Sequence, residues 1–226
     1  MYDNVFQLRN RMDKEIYDEI FIQNIYQLPD DMSGWAFIDI GAHIGAASYR
    51  AAMNGCRFIV AIEALWQNFY QYIKNASLFG ENSDTVVDNC AVVGNTNTVE
   101  HLYLSALNDE QEGNQSTVWW EPTERSVPTI TLSKVLEMRQ RASLRKKLML
   151  KIDVEGSEYD ILMQSDLSSV DMIVGEVHSV PAGVWRDGRE INKENLFEVL
   201  TSTGFTITIL KQINEELTIF KATRKE

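Results

Sequence analysis

The period of the apolar residues changes several times along the chain, and each change marks an element. Met12, Ile16, Ile20, Ile25 and Leu28 recur at roughly helical spacing until Pro29 stops the pattern. Beyond it, short apolar runs alternate with helical ones. Strands are predicted over residues 35–40, 57–62, 85–93, 99–104, 148–154 and 172–177. Helices are predicted over 46–54, 66–79, 131–141, 158–164 and 192–203. Gly55, Gly80 and Gly204 stand just past three of these helices, where a left-handed residue ends the last turn. Two alternating runs, 205–210 and 217–220 with a turn near Asn214, predict a closing hairpin. Residues 105–126 are polar and irregular apart from Trp119-Trp120.

Alternating strands and helices imply an α/β protein, a mostly parallel sheet with helices on both faces. Periodicity alone admits other mixed sheets. No linker, repeat or low-complexity tract interrupts the pattern. The expected organisation is an N-terminal helical extension, 1–34, and one domain, 35–226, a length that suits a single large α/β unit.

Composition sets the class. With 44% hydrophobic and 24% charged residues, the chain can bury a full core without staples. Cys56 and Cys90 each sit in an apolar run and read as reduced core residues of a cytoplasmic protein. Met1-Tyr-Asp-Asn has no basic region leading into an apolar one, so no signal peptide is expected. No apolar run approaches the ~18 residues of a membrane span. A net charge of −12 opposes a nucleic-acid partner, which requires a basic footprint. The one basic cluster, Arg139-Gln-Arg141 with Arg145-Lys-Lys147, falls at a predicted helix end, where cations are favourable.

Two strands end in chemistry. The first is Phe37-Ile-Asp-Ile-Gly-Ala-His-Ile-Gly45; the second is Leu150-Lys-Ile-Asp-Val-Glu-Gly-Ser-Glu158. In an open α/β sheet, ligands bind outside the carboxyl ends of the strands. Gly41 and Gly45 allow a tight turn and close approach of backbone to a ligand. Glu63 ends the next strand, about 20 residues on, where a carboxylate can accept hydrogen bonds from ribose hydroxyls. The dinucleotide pattern G-x-G-x-x-G fails, because His43 and Ala46 occupy its second and third glycine positions. Asp39, Asp153 and Glu155 suit a ligand with a sulfonium and an ammonium, as in S-adenosylmethionine (SAM).

Together with Ala61-Ile-Glu63, Val127-Pro-Thr-Ile-Thr-Leu132 and Gly175-Glu-Val-His178, these segments resemble the FkbM-type methyltransferases over roughly residues 35–220. The resemblance implies a Rossmann-like class I SAM-methyltransferase fold. That fold is a mostly parallel seven-stranded sheet with a C-terminal antiparallel hairpin and helices on both faces. It implies SAM as cofactor and methyl transfer to a hydroxyl of a small molecule or sugar. Asp39, Gly41, Ala42, His43, Gly45, Glu63, Ala64 and Asp153 would line the SAM pocket, and Asn89 and Ala91 would approach the adenine. His43 stands where the family usually has Asn, and Ala64 where it usually has Pro. His43 can still donate to the methionine carboxylate; Ala64-Leu65-Trp66 alters the cover over the adenine edge.

Methyl transfer to oxygen is an in-line displacement in which holding the reactants aligned supplies much of the rate. An alcohol acceptor must also lose its proton. His178, ending the strand over 172–177, is the expected base, neutral at pH 7 from an ordinary pKa near ~6.5. Glu176 falls on the same face and would orient it, with Asp153 beside them. Asp153, Glu155, Glu176 and His178 offer ligands for Mg²⁺ or Mn²⁺. The expectation is instead that these acids serve the ammonium of SAM and a helix start, so no metal is assigned. His101 reads as surface. Trp119-Trp120 and Trp185-Arg186 either cover a ring or anchor loops. The N-terminal helix and Trp119-Trp120 lie outside the family pattern and are where acceptor identity is expected to be set.

Two other readings make different demands on the chain. A nucleic-acid N-methyltransferase calls for an Asn/Asp-Pro-Pro-aromatic loop and a basic face, and the chain has neither. A non-catalytic SAM-fold binding module stays open.

Overall fold

Asn10 starts the first helix by accepting the Asp13 N–H on its side chain. Helix α1 (Arg11–Asp18) passes into one π-helical turn, Glu19–Gln23, which stops at Asn24 in the left-handed region. There follow β1 (Trp35–Ile40), α2 (Ala46–Met53), β2 (Phe58–Ile62), α3 (Trp66–Ala76), β3 (Asp84–Asp88) and β4 (Ala91–Val93). Short strands β5 (His101–Tyr103), β6 (Ser105–Ala106) and β7 (Gln115–Ser116) precede β8 (Ser126–Thr131) and α4 (Leu132–Met138). The second half holds β9 (Lys147–Ile152), α5 (Glu158–Met163), β10 (Met172–His178), β11 (Trp185–Arg186), β12 (Arg189–Glu190), α6 (Lys193–Ser202), β13 (Phe205–Gln212) and β14 (Leu217–Arg224). This computed structural model describes residues 6–80, 83–94, 101–103, 105–106, 115–116, 126–138, 147–180, 183–186 and 188–225.

The main sheet has seven strands in the order β3-β2-β1-β9-β10-β14-β13. The first five run parallel. β14 lies antiparallel between β10 and β13. This is the mostly parallel sheet with a closing hairpin that the sequence predicts. The chain lays β2 and β3 to one side of β1, then returns to lay β9 on the other. The carboxyl ends of β1 and β9 therefore flank the switch point where such sheets open a crevice.

β1 and β2 are buried almost throughout, as befits strands covered on both faces. Ile38, Leu150 and Ile173 face one layer, where Tyr159, Leu196 and Leu200 cover them. Phe37, Met149 and Val174 face the other. Two residues further along each strand, alternation places Asp39, Lys151 and Glu176 on that second face. Phe6, Tyr17, Ile20, Tyr26, Leu28 and Met32 are buried against it, so residues 6–34 supply part of the second layer. Each such side chain contributes about 1.5–3 kcal/mol by leaving water. Arg50 ties the segment down by donating to the Phe21 carbonyl at 3.2 Å, and Asn54 by donating to the Pro29 carbonyl at 2.7 Å.

Two expectations shift. The strand expected over 85–93 is two strands in different sheets, because Asn89 leaves the ladder between them to bond elsewhere. The segment over residues 127–132, which carries part of the family resemblance, lies mostly in β8, and β8 joins β4 and β5 in a small three-stranded sheet. β9 ends at Ile152, two residues early, because Glu155 and Gly156 take positive φ to begin a turn. Cys56 and Cys90 are buried and form no disulfide. Among the described residues, no helix is long and apolar enough to cross a membrane.

Candidate active site

Neighbouring strands β2, β1, β9 and β10 end at one cavity of about 400 Å³, within the ~300–1,000 Å³ typical of small-molecule sites. The turns after these strands form its floor. Ile16, Ile20 and Ile25 of the N-terminal segment and Leu217 of β14 also line the cavity.

The turn after β1 is held in shape by the protein itself. Gly41, His43 and Gly45 all have positive φ. A Cβ on Gly41 would stand 1.8 Å from the Asp153 carbonyl oxygen, and one on Gly45 would stand 2.9 Å from the Tyr72 ring. Gly41 leaves room for the neighbouring turn and Gly45 for an aromatic ring. Gly41, Ala42 and His43 line the cavity, and Gly45 does not, because Tyr72 covers it.

Glu63 joins two turns. Its Oε2 accepts the His43 N–H at 2.8 Å and its Oε1 accepts the Leu65 N–H at 2.8 Å. Burial pushes its pKa up, while these two bonds and Lys151 pull it back. Asn89 lies behind this turn and donates to the carbonyls of Glu63 at 2.8 Å and Ala64 at 3.0 Å. It shapes the wall without being part of it, whereas Ala64 and Ala91 are in it.

Asp39 is also beneath the wall. Fully buried, it accepts the Ser48 hydroxyl at 2.7 Å and pairs with Lys151 Nζ at 3.4 Å. It was expected to face the ligand, but Lys151 stands above it. Lys151 donates to the Gly41 carbonyl at 2.7 Å and lies 3.6 Å from Asp153 Oδ2. Burial alone would lower its pKa; Asp39, Asp153 and Glu176 outweigh that and raise it. The lysine is thus an ammonium that knits the ends of β1 and β9 together.

At the ends of β9 and β10, Asp153 and Glu176 both meet the Tyr26 hydroxyl, at 3.3 and 3.1 Å. Burial and the charge of Asp153 push Glu176 up to about 8. Burial likewise pushes Glu155 up to about 7.

His178 needs correction. Its Nδ1 lies 2.9 Å from Glu158 Oε1 and its Nε2 3.3 Å from Glu155 Oε2. Burial alone would lower its pKa, but the Glu158 bond and the charges of Glu158, Glu155 and Asp153 raise it to about 10. Near neutral pH the ring is an imidazolium with no free lone pair, so it is not placed to act as a base. Glu158, rather than Glu176, orients it. The same carboxylate accepts the N–H groups of Val154 at 3.1 Å and Gly156 at 2.9 Å, fixing the turn.

His43 is held differently. Burial drives it down to about 4 despite the pull of Asp13, so its imidazole is neutral. Asp13 Oδ1 lies 3.4 Å from its Nε2, and Arg9 bonds both Asp13 oxygens at 2.9 Å. The helix at residues 11–18 is thereby tied to the turn after β1.

Asp153, Glu176 and His178 converge, with one ligand atom of each within 4.8 Å of the others. Two cations already serve this trio, the Lys151 ammonium and the His178 imidazolium. A divalent ion would have to displace the His178 proton and sit beside Lys151, so the residues present do not fit one.

Trp119-Trp120 and residues 139–146 lie outside the described residues, as do the side chains of His101, Trp185 and Arg186. Sequence reasoning passed over Tyr26, Lys151, Asp13 and the structural role of Glu158. Lys151 had a signal, a lone charge in an apolar strand. Tyr26 had none, since only the fold brings it to residues more than a hundred positions away.

The model of the FkbM methyltransferase domain matches residues 39–212. The chain belongs to the FkbM methyltransferase family. No curated protein matches its sequence. Among solved structures, a Listeria monocytogenes protein assigned as an S-adenosylmethionine-dependent methyltransferase is similar at 10% identity and a TM-score of 0.50, over 94% of this chain and all (100%) of that one. Magnesium protoporphyrin IX methyltransferase from Synechocystis with bound SAM is 9% identical at a TM-score of 0.46, over 98% and 88%. EvdMO1 is 13% identical at a TM-score of 0.49; this FkbM-family chain is covered over 99% but spans only 44% of EvdMO1. At 10% identity, the likeness to the Listeria protein speaks for the fold alone. The family-matched stretch contains Glu63, Asp153, Glu176 and His178, and it leaves out Tyr26 and Asp13.

Proposed function

We propose that this FkbM-family chain is a SAM-dependent O-methyltransferase acting on a hydroxyl of a small molecule or sugar, with no metal required. The observation that carries the reading is the separation of roles along the cavity. An anchored carboxylate, Glu63, stands at the end of β2. Two proton-accepting carboxylates, Asp153 and Glu176, stand at the ends of β9 and β10. Three strand-to-strand steps lie between β2 and β10, about 14 Å at ~4.8 Å each, room for a nucleoside with an amino-acid tail.

Each Glu63 oxygen spends one lone pair on a backbone N–H and keeps another for a ribose hydroxyl. Neutral His43 can donate to a carboxylate. Asp153, Glu155 and Glu176 favour a ligand bearing a sulfonium and an ammonium. When bound, SAM supplies an electrophilic methyl group. The chain's own part is to hold the acceptor against the apolar wall, exclude water and take the acceptor's proton on Asp153 or Glu176. A carboxyl near 8 is well matched to accept a proton near neutral pH.

The test is calorimetry with SAM and with NAD, then turnover with labelled SAM over alcohol, sugar and amine acceptors. Binding of SAM and label on oxygen are expected. NAD binding without SAM binding overturns the cofactor; label on nitrogen with alcohols refused overturns the acceptor class.

A further inference from the structure

Tyr26 reaches the reacting end of the cavity from outside the family-matched stretch. Its buried ring lies under Lys151, with Nζ 5.8 Å from the ring centroid. Its hydroxyl meets Asp153 Oδ2 at 3.3 Å and Glu176 Oε1 at 3.1 Å. A phenol has one hydrogen and donates to one acceptor at a time. The second contact is a hydrogen bond only when that carboxyl carries a proton and donates it to the phenol oxygen. The geometry is therefore complete with one proton on the carboxyl pair and incomplete with none. A change of donor direction at the phenol passes that proton from one carboxyl to the other.

We infer that Tyr26 is a positioning residue that joins Asp153 and Glu176 into one proton-sharing pair. The inference rests on the methyl-transfer reading of the site. When an acceptor hydroxyl reacts, its O–H bond breaks and the electron pair stays on oxygen for the new bond to the methyl carbon. The electrons of the methyl–sulfur bond leave with the spent cosubstrate, and the proton goes to the pair. Tyr26 lets either carboxylate receive it, so the acceptor need not approach one oxygen only. Other charged groups act on the pair or on its tyrosine: Lys151 from β9, Glu155 after β9, His178 with Glu158 behind it and Glu19 from the π-helical turn act on the carboxylates, and Asp39 from β1 acts on Tyr26. None of them touches both carboxylates as Tyr26 does among the described residues.

The experiment is a carboxyl- and phenol-carbon NMR titration of the full chain, with SAM calorimetry on the same samples. In the unaltered chain, the signals of Asp153, Glu176 and Tyr26 should move at a shared midpoint. This measurement needs no variant. In Tyr26→Phe, which keeps the ring, the two carboxyl midpoints should separate. The one that loses a donor to its charged form should rise by about one unit. Phe6→Leu loosens the same segment away from the carboxylates and should leave both midpoints in place. Independent midpoints in the unaltered chain, unchanged titration in Tyr26→Phe, or an equal shift in Phe6→Leu would each overturn the inference. Absence of SAM binding would instead fall on the proposed function, since the titration requires no SAM.

Discussion

His178 is held by a carboxylate with no access to water: its Nδ1 lies 2.9 Å from Oε1 of fully buried Glu158. Burial alone would lower the histidine's pKa; Glu158 reverses the sign and brings it to about 10. A folded value above the unfolded ~6.5 adds stability that is whole below about pH 6.5 and is lost as pH climbs through about 10. Glu176 and Glu155, pushed up by burial to about 8 and about 7, act in the same direction. Their contribution is whole below ~4.5 and is lost as pH rises through those values. The thermal midpoint of the ligand-free chain should thus fall between about pH 6 and about pH 9. Glu158→Gln should flatten the alkaline part of that fall. A midpoint that climbs over this range would refute the assignment.

The same relationship bears on turnover. Glu176→Gln should slow methyl transfer at saturating SAM roughly 10²- to 10⁴-fold. His178→Gln should cost less, because an imidazolium has no proton to gain. The rate of the unaltered chain should rise with pH through about 8, where Glu176 ionises. Single-turnover rates with an identified acceptor decide it; equal losses in the two variants would return His178 to the role of base.

Glu63→Gln replaces one acceptor oxygen with a donor that cannot take a backbone N–H. Affinity for SAM should fall by about 1.5–3 kcal/mol, the worth of a hydrogen bond to a charged group. Calorimetry beside a thermal melt checks this, and an unchanged dissociation constant in a folded protein would make Glu63 purely structural.

Gly41→Ala forces a Cβ to within 1.8 Å of the Asp153 carbonyl at a φ of +73°. Strain and overpacking together should cost about 3 kcal/mol or more. Urea unfolding measures the loss, and a variant as stable as the parent would mean that the two turns can part freely.

Lys151→Met should cost about 3–5 kcal/mol by leaving Asp39 charged and buried without its cation. Pairing it with Asp39→Asn should recover part of the loss. Additive losses in the double-variant cycle would mean that the two groups do not interact.

Much of the frame was legible because it is periodic. Near-continuous apolar strands, helices closed by Gly55 and Gly204, and the order of units lead to the observed sheet; the helix before Gly80 stops earlier, at Ala76. Glu63 and Asp153 were legible because strand ends are where such sheets place ligands. What escaped depends on contacts between distant residues. Asp39 and Lys151 neutralise each other only once β1 and β9 lie side by side. The protonation of His178 depends on Glu158, twenty positions away. Asn89 looked like part of a continuous strand because hydropathy is blind to a side chain that caps another turn. Tyr26 belongs to a helical pattern whose apolar side gives no sign of a polar tip among carboxylates.

The contact between Gly41 and the Asp153 carbonyl has a mechanical consequence. With Lys151 bonded to the Gly41 carbonyl and paired with Asp153, the two turns behave as one stiff plate. Bonded in this way, the two turns would move together rather than apart. The covering residues 6–28 are a separate part, fastened to α3 by bonds such as Arg9 to Asn68 at 2.7 Å, so any widening of the cavity is asked of them rather than of the plate.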